Sequence, residues 1–282
     1  MNPMHNFPEG TYDFHLHPAP DIVARRFDDD EIARRLITAK MKGCVIKAHH
    51  GDTSARAKLM EKRYPCLHIG GGVTLNHAVG GLNPRAVEVC ALTGGKIVWF
   101  PTMDSRAYQA FHMAKHPDMD LGKLIPILDD KGALLPAAVE VLKMAAKCHM
   151  IVATGHISAE EGMAIIREGA KYGCQMLVTH ADLPSNRYTT EQLQEAVALG
   201  AMVEYCYFTL HYDRTPAEMI AEQIRAIGCE HFILSTDFGQ VKSPYPDEGM
   251  AMFAEAMRQQ GFRDEELLQM MCKNPERLMG WN

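Results

Sequence analysis

The chain has 282 residues, 47 % of them hydrophobic, with Lys+Arg 29 against Asp+Glu 35 for a formal charge of −6. This length exceeds the usual single domain but is ordinary for an α/β barrel, and the apolar share is enough for a sizeable core. The acidic balance offers no positive field for nucleic acid or an anionic membrane, the start MNPMHNFPEG lacks the basic-then-apolar order of a signal peptide, and no apolar run approaches the roughly 20 residues that span a bilayer.

Eight strand-like runs follow one another, most of them trailed by a helical stretch. The first, TYDFHLH (11–17), places His15 and His17 two apart, so both point to one face while Phe14 and Leu16 take the other. DDDEIARRLITAKMK then opens with acids and closes with lysines, as a helix prefers, with Gly43 as its stop. CVIKAH (44–49) is the second run and carries Lys47 and His49, with His50 next; CLHIGGGV (66–73) is the third and KIVWFPT (96–102) the fourth. The widest gap comes next, and in it LIPILDDKGALL reads as a hairpin around Asp130, Lys131 and Gly132. An insertion there suits a lid over a barrel mouth.

LLPAAVEVLKMAAKC is helical, and MIVATGH (150–156) is the fifth run. SAEEGMAIIREGAKYG fits a capping box, Ser158 with Glu161. QMLVTH (175–180), AMVEYCY (201–207) and HFILSTD (231–237) are the last three runs, separated by TTEQLQEAVALG and TPAEMIAEQIRAIG, helices that open at Thr and end near Gly. Several runs are continuously apolar, as parallel strands covered on both faces are. Strands alternating with helices point to α/β architecture, a single (β/α)8 barrel over residues 1–282 with an insertion between strands 4 and 5. The competing open sheet would show a phosphate loop of G-x-G-x-x-G spacing, and IGGGVTLN lacks it.

The eight cysteines form no C-x-x-C pair, and most lie in apolar segments. They read as buried, reduced thiols in a cytoplasmic protein.

Active sites of such barrels form at the C-terminal strand ends. There the chain delivers His15 and His17, His49, His156, His180 and Asp237. One histidine near a strand end is commonly a packing residue; the repetition is what argues for a metal. Imidazoles with one carboxylate suit Zn2+, Fe2+ or Mn2+ better than the oxygen-loving Mg2+ and Ca2+. Glu204, inside the apolar run MVEYCY, needs a metal, a lysine or an arginine, because an unpaired buried charge is costly. Asn76, His77 and Arg106 are further polar residues at the same rim, Arg106 being able to clamp a carboxylate. Tyr205, Tyr207 and His211 line the pocket or simply pack, and His112 and His116 read as surface residues.

The ordered set DFHLH, ATGHIS, LVTHAD, LSTDFG and the closing CKNPERLMGW resembles the amidohydrolase superfamily of metal-dependent (β/α)8 barrels, from residue 13 to residue 281, in an uncharacterised branch. The resemblance implies that His15, His17 and Asp237 hold a first metal. His156 would bind it or a second, and His180 would bind the second or hydrogen-bond substrate. Asp237 would take the proton of the metal-bound water. Two-metal relatives place a carboxylated lysine or glutamate after strand 4, whereas this chain reads IVWFPTMDS with no such group before Asp104. Lys47 or His49, or else Glu204, could substitute as ligand; Lys47 could equally pair with a substrate carboxylate.

The implied activity is a metal-dependent hydrolase acting on an amide, lactone or other ester of a small molecule, with one or two divalent ions per chain, Zn2+ first. Asp237, His180 and Lys47 are its expected catalytic residues. The alternative is a mononuclear-metal decarboxylase acting on an unsaturated or aromatic acid, or more distantly an oxygen-using iron enzyme. A phosphoesterase that also opens with H-x-H is disfavoured, because Pro18 follows His17 and Phe238 follows Asp237. A purely structural metal would draw on closely spaced cysteines. Expected partners are the small-molecule substrate and, in a homo-oligomer, other copies of the chain, with neither nucleic acid nor membrane.

Overall fold

The computed structural model describes residues 6–112 and 123–281. Two compact units organise them: the first takes the chain up to Ala48, Ala55–Gly71 and everything from Glu204, and the second takes His49–Ser54 and Gly72–Val203. No described helix is long and apolar enough to cross a membrane.

In the first unit, β1 (Tyr12–Leu16) pairs in parallel with β2 (Gly43–Ile46), and β2 with β3 (His68–Gly70). All five residues of β1 and all four of β2 are buried, as strands covered on both faces must be. The register of β1 against β2 shifts between Asp13 and Leu16, an irregularity that falls on His15. On the other side of β1, Asp237 N–H donates to His15 O at 2.9 Å and His17 N–H to Phe238 O at 2.9 Å.

The helix Asp29–Thr38 starts on Asp28, whose carboxylate accepts from Glu31 N–H at 2.7 Å. It ends earlier than its lysine-rich tail suggests. Lys40 turns into the left-handed region at φ 55, and Gly43 is no helix stop but the first residue of β2. Glycine is needed there because a Cβ would lie 1.9 Å from His68 O on the neighbouring strand. At the C-terminus, Asn274 donates to Cys229 O at 2.8 Å and Phe232 O at 2.6 Å, and Gly280 ends the helix Asn274–Met279 at φ 63. The closing asparagine thus clamps the start of a strand, and Trp281 stacks on Tyr12 with ring centroids 5.0 Å apart.

The second unit carries β4 (Gly72–Thr74), β5 (Ile97–Trp99), β6 (Ile151–Ala153) and β7 (Gln175–Val178), each parallel to the next. The strand β8 (Met202–Cys206) pairs with β7 through Met202 and Val203, and its remaining residues belong to the first unit, as does β9 (Phe232–Ser235). All eight predicted runs therefore contain strand, and the third is broken at Gly71 into β3 and β4. Ser158 and Glu161 form the expected capping box of the helix Ala159–Lys171, and Thr189 with Gln192 forms another. The helix Ala217–Ile227 begins just after Pro216. A bridge between Leu128 and Leu134 closes the expected turn after strand 4. His116 lies outside the described residues. All eight cysteines are free thiols, but Cys66 is exposed and only four are fully buried, so burial was over-expected.

Candidate metal centre

Each predicted residue of this set sits at or just beyond a strand end, except Glu204 inside β8. In the first unit the two histidines of β1 face one point, with ring centroids 5.3 Å apart. Asp237 Oδ1 meets them there, 3.0 Å from His17 Nε2 and 3.4 Å from His15 Nε2. Asp237 holds φ 57, a left-handed conformation uncommon for a residue with a Cβ. It costs on the order of 1–2 kcal/mol, and the parallel contacts of Leu16 and His17 with Phe238 hold it. His180, in the second unit, holds φ 50 just after β7. Strain of this kind collects at functional sites.

Two further charges bracket His15. Its Nδ1 faces Glu204 Oε2 at 3.1 Å, and its Nε2 faces Lys47 Nζ at 3.1 Å. A carboxylate accepts and an ammonium donates, so both partners call for the Nδ1–H tautomer, which leaves a lone pair on Nε2 towards Asp237. Burial lowers the imidazole pKa to about 3, helped by the Lys47 charge and opposed by Asp237, so His15 is neutral at neutral pH. Burial also pushes the Lys47 ammonium down and the Glu204 carboxyl up; the Ser235 hydroxyl, donating to Glu204 Oε1 at 3.0 Å, works against the latter. Glu204 therefore spends its oxygens on Ser235 and on the far side of the His15 ring. That arrangement is the one in which a carboxylate orients a metal-binding histidine.

Asp13 joins this cluster, although the sequence reading passed over it. Its Oδ1 accepts from His15 N–H at 3.2 Å and Thr236 N–H at 3.0 Å, and its Oδ2 accepts from the Thr236 hydroxyl at 2.5 Å. One buried side chain thus ties the strand bearing His15 to the segment bearing Asp237. Burial raises it to about 7 against those three donors. An acid in period-two register with His15, inside an apolar run, was the available signal. Cys206 Sγ stands 3.8 Å from His15 Nδ1 and is buried. Arg25 was also missed: it donates twice to Asp21 and lies 3.5 Å from His17 Nδ1.

The second unit gathers the other imidazoles. His156 has ring centroids 5.3 Å from His180, 5.7 Å from His49 and 4.9 Å from Tyr108. His49 Nδ1 is 2.9 Å from the Thr102 hydroxyl. Asn76, fully buried, holds that pair: its amide donates to Thr102 Oγ1 at 2.7 Å and His49 O at 2.8 Å, and its oxygen accepts from Thr102 N–H at 2.9 Å and Asp104 N–H at 3.2 Å. His77 N–H instead donates to Asp104 Oδ2 at 2.7 Å. Arg106 is exposed and its charge acts on Glu161, so the expected carboxylate clamp has no support from its placement. In the first unit Tyr205 is buried against Phe232 and bonded to Gln223, a packing role, while Tyr207 and His211 ring Phe238.

The donor set in the first unit fits a divalent cation. One ligand atom each from His15, His17 and Asp237 lies within 4.8 Å of the others, all three residues buried. Ligands at ordinary zinc distances in a tetrahedral site stand about 3.4 Å apart, and two of these pairs are 3.0 and 3.4 Å apart.

Comparison with solved structures gives the fold. The chain is similar to an amidohydrolase from Pseudomonas aeruginosa, 12 % identical with a TM-score of 0.63, covering 95 % of each chain. An organophosphorus hydrolase from Deinococcus radiodurans is 15 % identical with a TM-score of 0.59, over 96 % of this chain and 93 % of that one. The phosphotriesterase homology protein from Escherichia coli, complexed with phosphate in its active site, is 16 % identical with a TM-score of 0.60, over 96 % and 98 %. These likenesses show the expected (β/α)8 fold. No curated protein sequence matches the chain. One family profile does, over residues 10–204, and with that span the chain belongs to the family of unknown function DUF6282.

Proposed function

We propose that this protein is a metal-dependent hydrolase that cleaves an amide, lactone or other ester bond of a small molecule. The observation that carries the reading is the buried meeting of His15, His17 and Asp237 on one point. A divalent cation, when bound, lowers the pKa of water from about 15.7 towards 7 and polarises the carbonyl under attack. The protein's own residues do the rest. Asp237 Oδ1 accepts the proton of the attacking water and returns it to the leaving group. Glu204 holds His15 in the tautomer that puts its lone pair on Nε2. Lys47, buried beside the same nitrogen, stabilises negative charge that develops on the substrate. His156 and His180 are proposed as further nitrogen ligands, and His180 alternatively as a proton donor. Zn2+ is the proposed metal, and one or two ions the proposed number.

A second reading has its own observation. Ile97–Trp99 of β5 is followed by buried Phe100, Pro101 and Thr102, so no carboxylate bridge follows that strand. A one-metal centre of this kind also suits decarboxylation of an unsaturated or aromatic acid. The names of the similar structures add phosphotriesters to the panel worth assaying. The test is a screen of lactones, amides, carboxyl esters and phosphotriesters with Zn2+-, Mn2+- and Fe2+-loaded protein, beside Asp237→Asn. Turnover that the variant abolishes, with circular dichroism unchanged, supports hydrolysis by this centre. Release of CO2 from an acid, without incorporation of water, supports the lyase. Full turnover by Asp237→Asn contradicts both.

A further inference from the structure

Arg25 lies on the loop that follows His17, and its guanidinium is nearly enclosed: 6 % of the side chain is exposed, and 3 % of its partner Asp21. Nε and Nη2 both donate to Asp21 Oδ2, at 2.9 and 2.6 Å. The other oxygen of Asp21 is taken by Ile22 N–H at 2.6 Å. A guanidinium has five N–H groups, two of them on Nη1. Among the described residues Nη1 has no acceptor, although Nη2 of the same fork stands 3.5 Å from His17 Nδ1. Nη1 is not one of the enclosed, unpartnered polar atoms, so its two N–H groups meet solvent and are open to a ligand. Here the pairing stops halfway, next to a proposed metal ligand.

The loop that presents this fork is fastened on several sides. Ala19 N–H donates to Phe27 O and Arg26 N–H to Gly239 O, each at 2.8 Å, and Arg25 bridges Gln240. Arg56 donates to the carbonyls of Pro18, Ala19 and Pro20 at 3.2, 3.0 and 3.0 Å and also pairs with Asp29. Gly239 sits at φ 153, where a Cβ would lie 2.0 Å from His17 O, so that junction closes only around glycine. The neighbouring Ile22 and Val23 are 75 % and 51 % exposed, which leaves the outer face of the loop open to solvent. A donor pair fixed in advance loses little freedom on binding. Charge points the same way. Arg25 and Lys47 face the carboxylates of Asp21, Asp237 and Glu204 in this unit. A bound divalent cation would offset that deficit and favour an added anion.

We propose that Arg25 is the substrate-binding residue of this centre, and that the substrate carries an oxyanion, a carboxylate or a phosphate-type group, beside the bond that reacts. The proposal rests on the metal-dependent reading above. It gives Asp21 the task of holding the fork in place and leaves Nη1 for the ligand, in the charge-assisted geometry that arginine gives to oxyanions.

The test is calorimetric titration of wild-type protein, Arg25→Gln and Arg25→Lys, each with and without Zn2+. The probes are acetate, inorganic phosphate and neutral acetamide, and metal content is measured on the same samples. The expected result is anion binding by the wild type that Arg25→Gln weakens at least about tenfold, with metal content unchanged and acetamide indifferent. Arg25→Lys, which keeps the charge and loses the fork, should fall between. Preference for acetate or for phosphate tells the two sources apart. Unchanged anion affinity in a metal-loaded Arg25→Gln overturns the proposal. So does absence of anion binding by the wild type in both forms, or loss of metal rather than anion affinity, which would make Arg25 a support for His17. Should Arg25→Gln not fold, Arg25→Lys decides on the same criteria. A wild type that holds no metal refutes the hydrolase reading, and the metal-free titrations still judge Arg25.

Discussion

His15 and His49 are held by opposite means. In the first unit His15 stands between a carboxylate and an ammonium, with Glu204 at 3.1 Å on Nδ1, Lys47 at 3.1 Å on Nε2 and Asp237 at 3.4 Å. In the second unit His49 rests on a hydroxyl at 2.9 Å, which an amide in turn holds at 2.7 Å. Charged neighbours give affinity for a cation and sensitivity to protons; neutral hydrogen bonds give orientation with little charge. The contrast assigns metal affinity mainly to the charged cluster and rigid placement of imidazole to the neutral one.

The largest effect should come from the charged side. His15→Ala combined with His17→Ala should lower metal affinity at least about 1,000-fold, or about 4 kcal/mol, as read by competition with a chromophoric chelator. Retention of affinity within tenfold would break the contrast. Next comes the neutral side. Asn76→Ala strips the partners from Thr102 N–H, Asp104 N–H and His49 O, and should cost about 3 kcal/mol of stability to urea. A loss under about 0.5 kcal/mol would show that the amide holds nothing. Glu204→Ala should reduce metal affinity about 10–100-fold while the fold persists, as removal of a histidine's outer partner does. Complete loss would make Glu204 a ligand after all.

The smallest signal is one of slope. Folded His15 titrates near 3 against an ordinary 6.5, so below 6.5 the unfolded chain takes a proton that the folded one refuses. Stability is whole above 6.5 and drains as pH falls towards 3. Metal-free wild type should therefore lose up to about 2 kcal/mol more than His15→Gln between pH 6.5 and 5. Parallel urea midpoints at the two pH values would deny the burial of a neutral imidazole.

The alternation of strands with helices was legible because parallel strands buried on both faces read as short apolar runs, and helix starts carry their own caps. The places of the candidate residues were legible for a related reason: strand ends are easily placed, and His15, His17, His156, His180 and Asp237 lie at or just past them. Orientation was not legible. Nothing in LSTDFG announces that Asp237 is left-handed, since that follows from its contacts with β1. Arg25 and Asp21 look like any exposed pair four residues apart; their burial comes from loops distant in sequence, Arg56 and Gly239 among them. Glu204 was read correctly as needing a partner, but its choice of His15 and Ser235 depends on strand neighbours that spacing does not fix.

The most direct measurement is elemental analysis of protein purified without chelator, wild type beside Asp237→Asn, with circular dichroism on both. About one or two equivalents of a transition metal in the wild type, and a marked fall in a folded variant, is the predicted result. A folded wild type that holds no metal after incubation with Zn2+, Mn2+ and Fe2+ would contradict the account.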